Sequence, residues 1–447
     1  MTWIWRQIYR QYRLFSGAQF TALRRLTPAG WLVLVCLGYS LIVGFNLENT
    51  VTYQAFALLL FLGGSAMLAA FFFRAKISVT RSLPRFGTVD RPLRCQVTVK
   101  NLTTKTLFDL VLLEDLPDPR PLFPEWLALK RAEAQTFRPF WLSGRPKNLP
   151  GPMARVRETL LPPLPPGREV EALVEITPLR RGILNLTGST LARPDPFGLF
   201  RALLHVPQPG KILVLPRRYP LPPLALPGSL KYQAGGVALA ANVGQSDEFV
   251  SLRDYRRGDP IRHIHWRSWA RTGKPIVKEF EDEFFVRHAL VLDTFSPGPA
   301  GELFEEAVSV AASFACTIQT QESLLDLLFV GAEAYCFTAG RGLAHADQML
   351  EILASVRLCT GRTLSDLEHL VLNHATLVSN CICIFLAWDE PRRRFVEKLR
   401  DTGVPVLVLV LLAEAPVRPL DPGPLRSEPQ SFHTLVLGGL EAGLQKL

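Results

Sequence analysis

The pattern of apolar and polar positions changes character three times along the chain. Two uncharged apolar runs come first, AGWLVLVCLGYSLIVGF (29–45) and AFALLLFLGGSAMLAAFFF (55–73). As helices rising about 1.5 Å per residue they reach roughly 26–29 Å, enough for a hydrocarbon core of about 30 Å. A signal peptide has a shorter apolar core, and a second full-length run speaks against one. The pattern predicts a two-helix transmembrane hairpin over 29–73.

Short alternating runs follow over 74–228: CQVTV (95–99), LFDLVLLEDL (107–116), EVEALVEITP (169–178) and GILNLTGSTLA (182–192). Turn material such as LPPLPPG (161–167) separates them, and no convincing helix intervenes. This is the signature of a β-sandwich-like domain. PRRYPLPPLALPG (216–228) reads as a connector held extended by its prolines.

From 287 to 447 strand-like and helix-like runs alternate. RHALVLDTF (287–295), SLLDLLFV (323–330), CICIFLAW (381–388) and VPVLVLVLL (404–412) are the strands. GELFEEAVSVAASFACTIQ (301–319), HADQMLEILASVRL (345–358) and PRRRFVEKLRDTG (391–403) have helical spacing. Such alternation predicts an α/β domain on a mostly parallel sheet, with its functional edge at the carboxyl ends of the strands.

Charge adds an orientation. The net charge is +10, and nine Lys/Arg against the single acid Glu48 put most of it in residues 1–85. Arg6, Arg10, Arg13, Arg24 and Arg25 precede the first apolar run, and Arg74, Lys76, Arg81 and Arg85 follow the second. The linker NLENTVTYQ (46–54) has no basic residue. The positive-inside rule then makes 1–28 a basic cytosolic segment. It puts both termini and the soluble domains in the cytoplasm, on a multi-pass protein of the inner membrane. Seven cysteines, an odd number, form no dense disulfide framework.

No phosphate-binding Gly-x-x-x-x-Gly-Lys-Ser/Thr, no Gly-x-Ser-x-Gly elbow and no His-Glu-x-x-His helix occurs, so the expectation is a protein that is not an enzyme. Cys381 and Cys383 share one side of an apolar strand and read as buried structural positions. His263 and His265 share a face if their segment is extended, without an obvious carboxylate to complete a metal site. The densest charge lies within the segment 229–286, where residues 247–283 hold eight Lys/Arg and eight Asp/Glu. Tyr255, Trp266 and Trp269 are interleaved with arginines there, as on a base-stacking surface. A phosphate-tracking groove needs an excess of cations, which a balanced segment lacks, so nucleic acid is not the expected partner. Arginine forks paired with carboxylates fit better, either locking the segment in place or presenting a polar docking face.

The stretch EFVSLRDYRRGDPIRHIHWRSWARTGKPIVKEFEDE (248–283) resembles the signature of the bacterial family called domain of unknown function 58. The matching residues are Glu248, Phe249, Leu252, Arg253, Tyr255, Gly258, Asp259, Arg262, Ile264, Trp266, Ala270 and Arg271. RRGILNL (180–186) and DPFGLF (195–200) resemble the lead-in to that signature. The resemblance implies a membrane-anchored protein whose C-terminal part has a von Willebrand factor type A-like fold. It also implies a protein partner, a MoxR-type AAA+ ATPase. The type A fold carries a metal-ion-dependent adhesion site, an Asp-x-Ser-x-Ser with a later Thr and Asp. Asp293, Thr363 and Asp389 match three of its positions, but Phe295 and Pro297 stand at the two serines, and Ser296 is out of register. The implied state is a metal-free relic, with Mg²⁺ as the one ion such oxygen ligands suit.

The expectation is therefore a non-enzymatic, membrane-tethered cytosolic scaffold or adaptor in complex assembly or envelope maintenance. Glu248, Arg253, Tyr255, Gly258, Asp259, Arg262, Trp266 and Arg271 are its candidate partner-binding or structural network. A cryptic envelope-related hydrolase and a nucleic-acid binder are the alternatives from other classes.

Overall fold

The computed structural model describes residues 2–43, 50–136, 151–222, 249–259, 261–280, 287–295, 301–319, 324–339, 343–359 and 361–447. The chain is multidomain. It forms two compact units, Met1–Val214 and Leu215–Leu447.

The first unit opens with three helices, α1 (Thr2–Arg25), α2 (Pro28–Val43) and α3 (Thr50–Phe71). α2 and α3 pack on each other and expose large apolar side chains such as Leu32, Val35, Leu58 and Phe61. Val51–Phe71 is the one stretch, among the described residues, long and apolar enough to cross a membrane. α2 is apolar but shorter, at 16 residues. The strands are β1 (Ile77–Ser82), β2 (Phe86–Thr88), β3 (Leu93–Asn101), β4 (Val111–Asp115), β5 (Ala154–Val156), β6 (Thr159–Leu160), β7 (Glu169–Pro178), β8 (Gly182–Pro194) and β9 (Arg201–Leu215). They form two sheets, ordered β1-β3-β7-β5 and β2-β9-β8-β4-β6. Alternate residues point inward, as a strand period of two dictates. Val97, Val99, Val174 and Ile176 of the first sheet therefore share a core with Leu112, Leu184, Leu186 and Ile212 of the second.

Contrary to the expectation of no helix in this region, α4 (Phe123–Thr136) interrupts the strands. Its Trp126 is fully buried, with Trp5, Tyr9 and Tyr12 of α1 at ring-centroid distances of 5.9, 5.4 and 6.3 Å. This aromatic contact holds α1 onto the β domain.

The DPFGLF turn fixes where α2 begins. The Asp195 carboxylate accepts the backbone N–H groups of Phe197 (2.7 Å), Leu199 (2.9 Å) and Phe200. The rigid turn presents the Leu199 carbonyl to the Thr27 N–H at 3.1 Å, and the Thr27 hydroxyl in turn accepts the Gly30 N–H at 3.0 Å. A Cβ on Gly30 would stand 2.2 Å from the Leu199 oxygen, so only glycine permits this approach.

The second unit carries a two-stranded antiparallel hairpin, β10 (Phe249–Asp254) with β11 (Ile276–Phe280), and between them the short helix α5 (Trp266–Thr272). A six-stranded mixed sheet follows: β12 (Arg287–Leu292), β13 (Leu324–Val330), β14 (Ala334–Ala339), β15 (Asn380–Phe385), β16 (Val406–Leu412) and β17 (Phe432–Val436). Its order is β14-β13-β12-β15-β16-β17, with β14 alone antiparallel, at the edge. The helices are α6 (Glu302–Gln319), α7 (Leu343–Ser355), α8 (Leu364–His374), α9 (Glu390–Asp401) and α10 (Leu440–Leu444). α8 and α9 bury Leu367, Val371, Phe395 and Leu399 against Val291, Cys383, Phe385 and Val408 of the sheet. Cys381 and Cys383 are buried with their sulfurs 3.7 Å apart, as free thiols.

Candidate functional site

Two groups of expected site residues lie in the second unit, and each contains an arginine fork closed on a carboxylate. The first is at the carboxyl end of β12. There the chain must leave the sheet, and Asp293, the residue after the strand, is fully buried. Its Oδ1 accepts the Phe295 N–H at 2.8 Å and its Oδ2 the Leu386 N–H at 3.1 Å. The remaining capacity goes to Arg392, whose Nε donates to the same oxygen at 2.8 Å and whose Nη2 stands 2.7 Å away.

Arg392 reaches this point because α9 starts there. Asp389 caps the helix by accepting the Arg392 N–H at 3.3 Å, with Pro391 in the first turn as helix starts favour. The guanidinium then closes a ring of acceptors: Nη1 donates to Asp389 Oδ2 at 2.6 Å and Nη2 to the Phe295 carbonyl at 2.7 Å. Burial pushes the Asp293 carboxyl up from its ordinary range, while Arg392 and the two amides pull it back. Desolvation works against the charge on Arg392, yet Asp293 and then Asp389 hold its pKa above the ordinary value.

These residues do not fit a Mg²⁺ ion. A cation at Asp293 would have to displace a buried guanidinium that already satisfies both carboxylates. Thr363 serves a different purpose, as the N-cap of α8, with its N–H on Asp366 Oδ2 at 2.9 Å and its hydroxyl 2.6 Å from Ser365. The structure thus joins Asp293 to Asp389 through Arg392 and gives Thr363 a helix to cap. Titrating the full-length protein with millimolar Mg²⁺ should give no binding heat that Asp293→Ala removes; such a heat would restore the metal site.

Sequence reasoning missed Arg392, although a signal was present. Arg392, Phe395, Val396 and Leu399 are the buried residues of α9 and follow the i, i+3, i+4, i+7 spacing of one helix face. An arginine on an otherwise apolar stripe must find a buried carboxylate.

The second group is the hairpin. Arg253 grips Asp259 with two bonds of 2.8 Å, and the Arg256 N–H adds a third at 2.8 Å. Gly258, at φ +114°, makes the tight return that brings Asp259 back to the strand. Trp266 opens α5 and stacks on Trp269, with ring centroids 5.3 Å apart. Arg262 sits in the 3-10 turn Ile261–His263, and Arg271 lies exposed in the last turn of α5. Glu248 lies outside the described residues. The extended reading of the two histidines is overturned: His263 ends that turn, while His265 precedes α5 with its Nδ1 2.6 Å from the Ser268 hydroxyl.

Beside the Arg253–Asp259 fork the segment turns apolar groups outward. Leu252, Tyr255, Ile261 and Trp266 are all exposed, Ile261 at 68 % and Trp266 at 59 %. The fork holds the Asp259 carboxyl down to about 2. A depressed carboxylate stabilises fully above its unfolded pKa and loses that contribution as the pH falls through the folded one. The fork should accordingly open between about pH 4 and pH 2. A carboxyl-carbon NMR titration of Asp259 should show a midpoint near the low end, moving up in Arg253→Gln; an ordinary midpoint in the unsubstituted protein would refute the fork.

A third cluster, in the first unit, was not foreseen. Asp115 accepts from Arg24 and from the Thr190 hydroxyl, and the His205 Nδ1 stands 2.8 Å from its Oδ2. The Thr190 hydroxyl thus gives its hydrogen to the carboxylate, so it is not an activated nucleophile.

Comparison with known proteins finds a family match that starts in the hairpin and runs into α8. Residues 251–371 match the model of the family described as Protein of unknown function DUF58. Over 126 residues the chain is 31 % identical to Uncharacterized protein YeaD of Bacillus subtilis (strain 168), covering 28 % of this chain and 31 % of that protein. The chain thus spans less than a third of that relative's length. Among solved structures, Salmonella alpha-2-macroglobulin mutant Y1175G is similar at 16 % identity and a TM-score of 0.19, covering 34 % of this chain and 8 % of that one. Listeria innocua beta-glucosidase in complex with isofagomine is similar at 12 % identity and a TM-score of 0.16, covering 31 % and 16 %. Likenesses this low carry no argument about fold or activity.

Proposed function

Residues 251–371 match the DUF58 family, and on that premise we propose that the chain is a non-enzymatic, membrane-anchored scaffold that docks a protein partner. The observation that carries the reading is the hairpin surface. Arg253 and Asp259 pair with each other, and Leu252, Tyr255, Ile261 and Trp266 are left outward. Aromatic and branched apolar side chains interleaved with arginines are what protein interfaces use as anchors. The partner is a MoxR-type AAA+ ATPase, and the complex serves assembly or envelope maintenance.

In this reading α2 and α3 form the membrane hairpin, with both soluble parts in the cytoplasm. Two features support it: helices apolar all round and exposed, and basic flanks on both sides of them. Residues 287–447 take the type A-like role, with Arg392 standing where that fold would hold a metal.

Crosslinking followed by recovery from intact membranes tests the function. The unsubstituted chain should bring down the ATPase, and Ile261→Ser/Trp266→Ala should lose it while melting normally, because both side chains are exposed. Undiminished recovery by that variant would remove the hairpin as the docking face.

A further inference from the structure

Among the described residues, the N-terminal part of the α1 face that turns away from α4 is exposed. Trp5, Tyr9, Tyr12 and Ser16 lie on the side that meets Trp126. Trp3, Ile4, Leu14 and Phe15 are all exposed, from 56 % for Ile4 to 77 % for Phe15. Trp3 and Leu14, like Ile4 and Phe15, are eleven residues apart, about three helical turns, so the four share one face. That face lies roughly opposite the Tyr9–Tyr12 side. Arg6, Arg10 and Arg13 flank it, and no acidic residue occurs anywhere in α1.

Two further observations say what covers this face. Ala18, Ala22 and Arg25 continue it at spacings of three and four residues, and they line a cleft of about 700 Å³ whose far wall includes Gly64, Met67 and Phe71 of α3. The exposed face of α1 therefore looks toward the apolar helix. Its far end is pinned beside the start of α2, through the Leu26–Phe200 bridge and the Thr27–Leu199 bond, and Trp31 stands exposed in the first turn of α2. Trp at such a place suits the boundary between headgroups and hydrocarbon.

We propose that α1 is an interfacial helix that lies on an anionic phospholipid bilayer. Its Trp3–Ile4–Leu14–Phe15 face sinks into the headgroup–acyl boundary, and its arginines meet lipid phosphates. An amphipathic helix with a wide apolar face and an all-basic polar flank binds a bilayer through these two terms together. A soluble partner offering only charge would leave the apolar face in water. The inference rests on the membrane anchorage proposed above, and the β domain would thereby be held by two contacts with the membrane, the hairpin and this helix.

A photo-crosslinking amino acid placed singly at Phe15, Met67 or Val417 of the full-length chain tests it; all three side chains are exposed. The chain is reconstituted in vesicles of phosphatidylglycerol and phosphatidylcholine, or of phosphatidylcholine alone. Lipid adducts are expected from positions 15 and 67 and not from 417. The adduct at 15 should fall about fivefold or more in phosphatidylcholine alone, and likewise in Arg6→Gln/Arg10→Gln/Arg13→Gln. A lipid adduct at 67 without one at 15 overturns the interfacial helix and leaves the membrane anchor standing. Absence at both positions overturns both. A chain-to-chain adduct at 15 assigns the face to a second copy instead.

Discussion

Replacing Arg392 with alanine should lower the melting temperature of the second unit by about 10 °C or more. The guanidinium is 4 % exposed and bridges Asp293, Asp389 and the Phe295 carbonyl. Removing it strands a fully buried carboxylate, and breaking a buried pair from one side costs about 3–5 kcal/mol. For a unit of this size each kcal/mol moves the midpoint by roughly 2–4 °C. Arg392→Lys should recover little, because an ammonium on a flexible stem cannot reproduce a planar fork across three acceptors. Asp293→Asn/Arg392→Met should recover part of the loss, since it removes the unpaired buried charge and leaves an amide oxygen for the Phe295 or Leu386 N–H. Backbone amide exchange in β12 and β15 reports the change locally. Normal melting in Arg392→Ala would show that the ring of bonds is not a lock.

The second large effect is expected in the first unit. Arg81 of β1 and Glu114 of β4 form an ion pair across the two sheets, with side chains 2 % and 0 % exposed. The Ser189 hydroxyl donates to Glu114 at 2.7 Å, and Arg81 also donates to the Gln208 carbonyl. Burial pushes the Glu114 carboxyl up even with Ser189 and Arg81 opposing it. Arg81→Met leaves that carboxyl buried without its cation and should cost about 3–5 kcal/mol, with lost amide protection in β3 and β7. Arg81→Met/Glu114→Leu should regain most of it. If the double variant is no better than the single one, the stabilisation lies in packing rather than in the pair.

How much of this was legible beforehand depends on whether local pattern and tertiary role agree. β7 spans the residues that the alternation of EVEALVEITP marked, and between Arg287 and Leu412 the strands β12, β13, β15 and β16 and the helices α6, α7 and α9 follow the alternating runs, whereas β14 and α8 went unmarked. Each marked element buries one face and its period shows it. β9 was invisible because RALLHVPQPGKILVL contains Pro207, Pro209 and Gly210, which read as turn material. The sheet accommodates them where the β8 register shifts between Leu186 and Gly188, with Gly188 opposite Pro207. α1 was read as a basic flank, since five arginines hide a helical pattern whose aromatic stripe finds its partner only on α4. Of the hairpin network, the Arg253–Asp259 pair was legible from opposite charges across a tight Gly turn. The stripe spacing of α9 marked Arg392 as buried, but not its partners, which are brought together only by the parallel pairing of β12 with β15.

Docking on the hairpin and docking on the carboxyl edge of the sheet predict different crosslinks. A photo-crosslinker at Ile261, compared with one at Asp389, in the full-length chain within its own membrane separates them most directly. Docking on the hairpin gives an adduct with the ATPase from position 261 and none from 389. An adduct from 389 with none from 261 would contradict it and move docking to the sheet edge that Arg392 closes.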